Sequence, residues 1–157
     1  MKDFNQLSKI GVKMTAIACA VFIHAVLAQA VTAQDQLAPA NDNFAAAQVL
    51  STAVTSVNGT TAAATNEPGE PGHGDNRGGS SVWYKYVAPG TGVLHVNTAG
   101  TGLDTTLAVY TGTNLSDLVL HSENDNMAEN LAFSNSSSLK TGVVNGTTYY
   151  IAVDGKN

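Results

Sequence analysis

The sequence predicts an all-β domain, an antiparallel β-sandwich, behind a short leader. Three observations carry this. Glycine occurs 15 times in 157 residues, alongside many Ser, Thr and Asn, the residue usage of short strands joined by tight turns. From Ser80 to Gly155, runs rich in aromatic and β-branched residues recur with turn signals at roughly ten-residue intervals. Beyond the leader no stretch of any length repeats its apolar residues with helical period.

The leader comes first. Lys2, Lys9 and Lys13 give a positive start, and TAIACAVFIHAVLAQA, Thr15 to Ala30, is almost wholly apolar. Small residues follow, ending in Val31-Thr32-Ala33. This is the pattern of a secretory signal peptide, residues 1–33, cut after Ala33 or Ala30. The apolar run is shorter than the ~20 residues of a spanning helix and is interrupted by His24 and Gln29. The expected product is secreted or held at the cell surface or in the periplasm, with no membrane segment once the signal is removed. Cleavage removes three of seven basic residues and one of twelve acids, so the formal charge moves from -5 to -7. It also removes Cys19, the single cysteine, which excludes disulfides and thiolate metal sites from the remainder. With no basic patch, nucleic acid is not an expected partner.

A polar lead-in, residues 34–40, precedes a domain predicted over 41–157. Asp42 or Asn43 in NDNF is placed to cap a short helical turn through AAAQVL. AVTSV, Asn58-Gly59 and TTAAA read as a hairpin about a type I′ turn. Asn66 to Gly79, NEPGEPGHGDNRGG, holds Pro68, Pro71 and five glycines, which exclude regular structure. SSVWYKYV is the strongest strand, with apolar residues on both faces, and Trp83 is its natural core anchor. GVLHVNT after Pro89-Gly90 reads as its antiparallel neighbour. TTLAVYTG, LSDLVLHS and LAFSNSSSL supply three more strands. In TTYYIAVDG, Tyr149, Ile151 and Val153 share a face by period-two alternation. The chain stops at Asn157 directly after this strand, so the sandwich reads as lacking its last strand.

NDNF, EPGEPGHG, GGSSVWYKYVAPGTG, LDTTLAVYTG, END and NGTTYYIAVDG occur in the order found in bacterial pre-peptidase C-terminal domains, which this chain resembles over residues 41–155. The resemblance implies a secreted, jelly-roll-like β-sandwich that is not itself catalytic and is appended to an exported protease or another surface enzyme or adhesin. Collagen-binding domains of secreted collagenases are distant relatives, and some of those bind calcium. The chain departs from the pattern in carrying no partner domain, and in having Lys85 and Tyr86 where a second large aromatic is frequent.

The residues themselves argue in the same direction. A hydrolase needs a nucleophile, a base and an orienting group. Serines and His73, His95 and His121 are present, but neither G-x-S-x-G nor H-E-x-x-H occurs. No enzyme is therefore expected. Carboxylates in loops are the candidates for a calcium ion: Glu67 and Glu70, brought together by Pro68-Gly69, with Asp104 and Asp125 at strand ends. Calcium takes ~6–8 oxygen ligands, and extracellular modules hold it at Kd on the order of 10⁻⁴–10⁻³ M. Against this, turn acids routinely bond their own backbone. Trp83 and the tyrosines at 84, 86, 110, 149 and 150 would serve either as strand filling or as an exposed patch for an extracellular protein or polysaccharide. The expected function is a non-catalytic accessory domain that aids stability, secretion or substrate contact, with a calcium-dependent adhesive or ligand-binding module as the alternative.

Overall fold

Where aromatic and β-branched residues alternate, strands form. The computed structural model of the chain describes residues 37–52, 56–74, 79–126 and 135–155, all in the compact unit Leu37–Asn157. The proposed leader, Asp75, Glu129 and the first part of LAFSNSSSL lie outside the described residues. Among the described residues there are seven strands: β1 Gln48–Leu50, β2 Val82–Val87, β3 Gly92–Asn97, β4 Thr105–Thr111, β5 Val119–Asn124, β6 Ser138–Val143 and β7 Thr148–Gly155. Among the described residues the helical content is two short 3-10 turns, Phe44–Ala46 and Leu115–Asp117.

The strands make two sheets. One has five strands in the order β1-β2-β7-β4-β5, and the other pairs β3 with β6. The all-β, two-sheet expectation holds, with three corrections. First, β1 runs parallel to β2, with Gln48 opposite Tyr84, so the larger sheet is not purely antiparallel. Second, β3 does not neighbour β2. It pairs with β6, Gly92 opposite Val143, while β2 takes β7 on that side, Val82 opposite Val153. Third, the Asn58-Gly59 hairpin is not formed: residues 56–61 contain no strand. Gly59 instead allows a close approach, because a Cβ there would sit on the Tyr84 hydroxyl.

The register sets two opposite faces. Across β2, β7 and β4, the rows Val82–Val153–Leu107 and Tyr84–Ile151–Val109 point toward the smaller sheet. There they join Leu139 and Val143 of β6, with Leu94 and Val96 of β3 at the margin. Tyr149, Ile151 and Val153 do share this face. The row Trp83–Ala152–Ala108 points the other way. Trp83 is fully buried, but not between the sheets. It belongs to a second cluster with Phe44, Ala108, Tyr110 and Ala152 on the outer face of the larger sheet. The two alanines beside it leave room for the indole to lie across β7 and β4. Ala108→Leu fills that room and is expected to cost about 1–3 kcal/mol by overpacking, measured as a lower midpoint in urea at unchanged m value.

Strand β4 is buried from Thr105 to Tyr110, because both of its faces are covered. The inner face is covered by β3 and β6. The outer face is covered by irregular chain, and there the charged loop of the sequence finds its place.

Candidate functional site

The loop begins as a β-turn. The Glu70 amide donates to the Glu67 carbonyl at 3.0 Å, with Pro68 in the second position and Gly69 in the third at φ 92°, the backbone angle that a type II turn demands. From this turn the chain passes over the outer cluster as a strap. His73 lies beneath it, fully buried, edge-on to Trp83 at 5.3 Å and to Tyr110 at 5.6 Å between ring centres.

Glu70 organises the strap. Its side chain is fully buried together with that of His73. Oε1 accepts from His73 Nε2 at 2.9 Å and from the Ser81 hydroxyl, and Oε2 accepts from the Glu67 amide at 2.8 Å. Burial alone would raise the Glu70 carboxyl. The hydrogen bonds from His73, Ser81 and the Glu67 backbone, with the charge on the imidazole, outweigh it and hold the group below its ordinary value. On the other side of the ring, His73 Nδ1 meets the Tyr110 hydroxyl at 2.8 Å, and Tyr110 donates to the Gly72 carbonyl at 3.2 Å. Burial, then the nearby charges of Glu123 and Glu70, push the Tyr110 phenol up, so it stays a neutral donor. The strap ends are pinned: Gly74 N donates to Glu123 at 3.0 Å, and Ser80 N donates to Asp154 at 2.9 Å.

The arm ahead of β1 locks the other side. Asn41 exchanges two hydrogen bonds with the main chain of Trp83, at 2.8 and 3.0 Å. Asp42 accepts from Thr65 through both amide (2.6 Å) and hydroxyl (2.9 Å). Glu67 accepts from the Phe44 amide. The expected helical cap takes a different form: Phe44–Ala46 is a 3-10 turn, Asn43 stands at its start without a side-chain cap bond, and Asp42 reaches across to Thr65 instead.

Chemically, the order of contacts is Ser81–Glu70–His73–Tyr110. A nucleophile relay needs the imidazole next to the hydroxyl; here the carboxylate stands between them, and its lowered pKa makes it a poorer base. Ser81 and His73 are both sealed from solvent. Among the described residues the other two histidines are exposed, with His95 on Ser138 at 3.0 Å and His121 donating to the Gly142 carbonyl at 2.8 Å.

The four acids singled out for calcium fall into two places. Glu67 and Glu70 lie in one turn, each accepting hydrogen bonds from the chain. Asp104 precedes β4, and Asp125 follows β5 with its carbonyl accepting from Ser137 at 3.0 Å. The β4–β5 register puts those two at the same end of the sheet. Asp104 Oδ1 is buried without a hydrogen-bond partner among the described residues. Among the described residues, no three histidine, cysteine, aspartate or glutamate side chains gather as a metal site would require.

Of the aromatic residues, Trp83, Tyr84, Tyr110 and Tyr149 are buried; Tyr86 and Tyr150 are partly exposed. Tyr150 helps to line an open groove of about 560 Å³ on the outer face, beside Phe44, Val49, Glu67, Lys85 and Leu115. The Lys85 ammonium stands 5.8 Å from the Tyr150 ring centre. The sequence reading missed this groove and the part played by His73 and Tyr110. One signal was there: Lys85, two residues after Trp83, marks the indole's face of β2 as the one that reaches water.

No family model matches the chain, and neither a curated protein nor a solved structure shows significant similarity to it.

Proposed function

We propose that residues 41–155 form a non-catalytic accessory domain of an exported bacterial protein, of the pre-peptidase C-terminal type and jelly-roll-like in topology. Its role is to aid stability, secretion or substrate contact for a partner domain. One observation carries this reading. The side chains able to do acid–base or nucleophilic work, Ser81, Glu70 and His73, are spent on holding a strap over Trp83 and are closed to solvent. The exposed groove beside Tyr150 and Lys85 offers a surface for contact. The test is to assay the purified full chain on peptide, ester and glycoside substrates, and to incubate it with insoluble collagen, chitin and cell-wall material. No turnover is expected, with retention on at least one polymer. Turnover that disappears in a cooperatively melting Ser81→Ala variant would overturn the reading.

A second reading, a calcium-dependent adhesive or ligand-binding module, is favoured by the buried, unbonded Oδ1 of Asp104 at the sheet end that also carries Asp125. Binding to the folded state alone adds about 2.7 kcal/mol at a hundred times the dissociation constant. On this reading, millimolar calcium raises the melting temperature over that in chelator, and Asp104→Asn abolishes the rise. Equal melting temperatures with and without the ion dismiss it.

A further inference from the structure

The pentapeptide Val-Asn-Gly-Thr-Thr occurs twice, at 57–61 and at 144–148, and these copies hold the two Asn-Gly pairs of the chain. An Asn-Gly pair is chemically labile. The amide carbon of the asparagine side chain lies within reach of the next residue's backbone nitrogen, and glycine has no Cβ to hinder the approach. Because the five residues are the same in both copies, their intrinsic reactivity is the same. What separates them is structural.

Access to water does not separate them: Asn58, Gly59, Asn145 and Gly146 are all exposed. Backbone bonding does. In the second copy Thr147 N donates to the Val144 carbonyl at 3.1 Å. That bond closes a β-turn with Gly146 in its third position at φ 76°. Gly146 N donates to the carbonyl of buried Ala88 at 2.8 Å, and Ala88 N returns a bond to the Thr147 carbonyl at 3.0 Å. Asn145 N donates to the Thr91 hydroxyl at 3.1 Å. The first copy lies in irregular chain between β1 and β2. Its ties come after the pair, with Ala62 N on the Thr60 hydroxyl at 3.1 Å and Ala64 N on the Thr61 carbonyl at 3.0 Å. Among the described residues the Gly59 amide has no acceptor.

We propose that Asn58 is a site of spontaneous deamidation and isoaspartate formation in the folded protein, with water as co-reactant, while the fold protects Asn145. Gly59 N gives its proton to water and attacks Asn58 Cγ. The N–Cγ bond forms, the Cγ–Nδ2 bond breaks, and the leaving nitrogen takes up a proton and departs as ammonia. The product is a five-membered succinimide, which a water molecule opens. Opening at Cγ gives aspartate. Opening at the main-chain carbonyl gives isoaspartate, whose backbone runs through the side-chain carbon. The net change is asparagine plus water to a carboxylic acid plus ammonia, with nothing oxidised or reduced. Gly146 can follow this course only by releasing Ala88 and opening its turn. The product has a structural consequence. Gly59 stands so close to the Tyr84 hydroxyl that a Cβ there would strike it, and Tyr84 belongs to the inter-sheet cluster. The extra backbone methylene of isoaspartate moves Gly59 off that contact.

The test incubates the full chain for weeks at neutral and mildly alkaline pH, below its melting temperature, and follows both positions by peptide mapping with isoaspartate detection. Aspartate plus isoaspartate should accumulate about tenfold faster at 58 than at 145, the factor expected when one backbone hydrogen bond must first be given up. In urea the two rates should converge, chiefly by a rise at 145, because the sequences are identical. The aged protein should melt lower than the fresh protein, and an aged Asn58→Gln variant, whose longer side chain closes a six-membered ring far more slowly, should not. Equal rates at the two positions in the folded chain overturn the proposal, as does an Asn58 that reacts only after unfolding. Rates that stay apart in urea overturn it too, since the difference would then not come from the fold. Unchanged melting of a chain shown to carry isoaspartate at 58 overturns the consequence drawn for Tyr84.

Discussion

Trp83→Ala is expected to lower stability by about 3–5 kcal/mol, enough to leave a marginal domain largely unfolded. The indole is fully buried and touches three other rings: Phe44 edge-on at 5.3 Å, His73 edge-on at 5.3 Å, and Tyr110 at 5.9 Å. Its removal leaves a space that the flanking Ala152 and Ala108 are too small to fill. The damage is directional. The rows built on Leu107 and Ile151 lie on the opposite face of the same sheet, so the inter-sheet cluster keeps its members. The strap and the arm at 41–44 lose the surface they cover. Amide exchange is the measurement that separates these effects. Protection at Thr65, Glu70 and Gly74 should fall further than protection along β4 and β7. Uniform loss would mean that the outer cluster and the inter-sheet core unfold as one unit.

Glu70→Ala is expected to have an effect of the same order, about 3–5 kcal/mol, because removing one member of a buried pair strands the others. Here three donors are stranded: the His73 ring, the Ser81 hydroxyl and the Glu67 amide. The milder Glu70→Gln exposes the electrostatic part through pH. The folded-state pKa of Glu70 lies below the ordinary value of 4.5. The stability it contributes is therefore present above that value and is lost as pH falls through the folded pKa. Wild-type melting temperature should decline in acid starting near pH 4.5, and Glu70→Gln should begin lower at neutral pH but decline less steeply. Parallel curves for the two proteins would show that Glu70 carries none of the acid sensitivity.

How much of this was legible beforehand depends on range. Strands β2, β4 and β7 could be read locally, since aromatic and β-branched side chains suit a pleated, two-sided surface. So could the Glu67–Glu70 turn, because Pro and Gly fix backbone angles without help from the rest of the chain. Pairing could not. Nothing within GVLHVN distinguishes Tyr86 from Lys140 as a neighbour; that choice follows from which faces the whole sheet buries. The Asn58-Gly59 hairpin failed for a related reason. The glycine serves contact with Tyr84, 25 residues away in sequence. Trp83 was rightly expected to be buried, but burial has two sides in a sheet covered on both faces, and a single strand does not say which. The acids were visible as a group. Their division into a hydrogen-bonded turn and a sheet end depends on tertiary register.

The indole at position 83 is the sole tryptophan of the chain, and it sits beneath the strap, away from the inter-sheet core. Its emission is thus a built-in optical gauge of whether the outer cover is closed. During gradual acidification a red shift should precede the loss of far-ultraviolet ellipticity, because water reaches the ring before the ladder of strands comes apart.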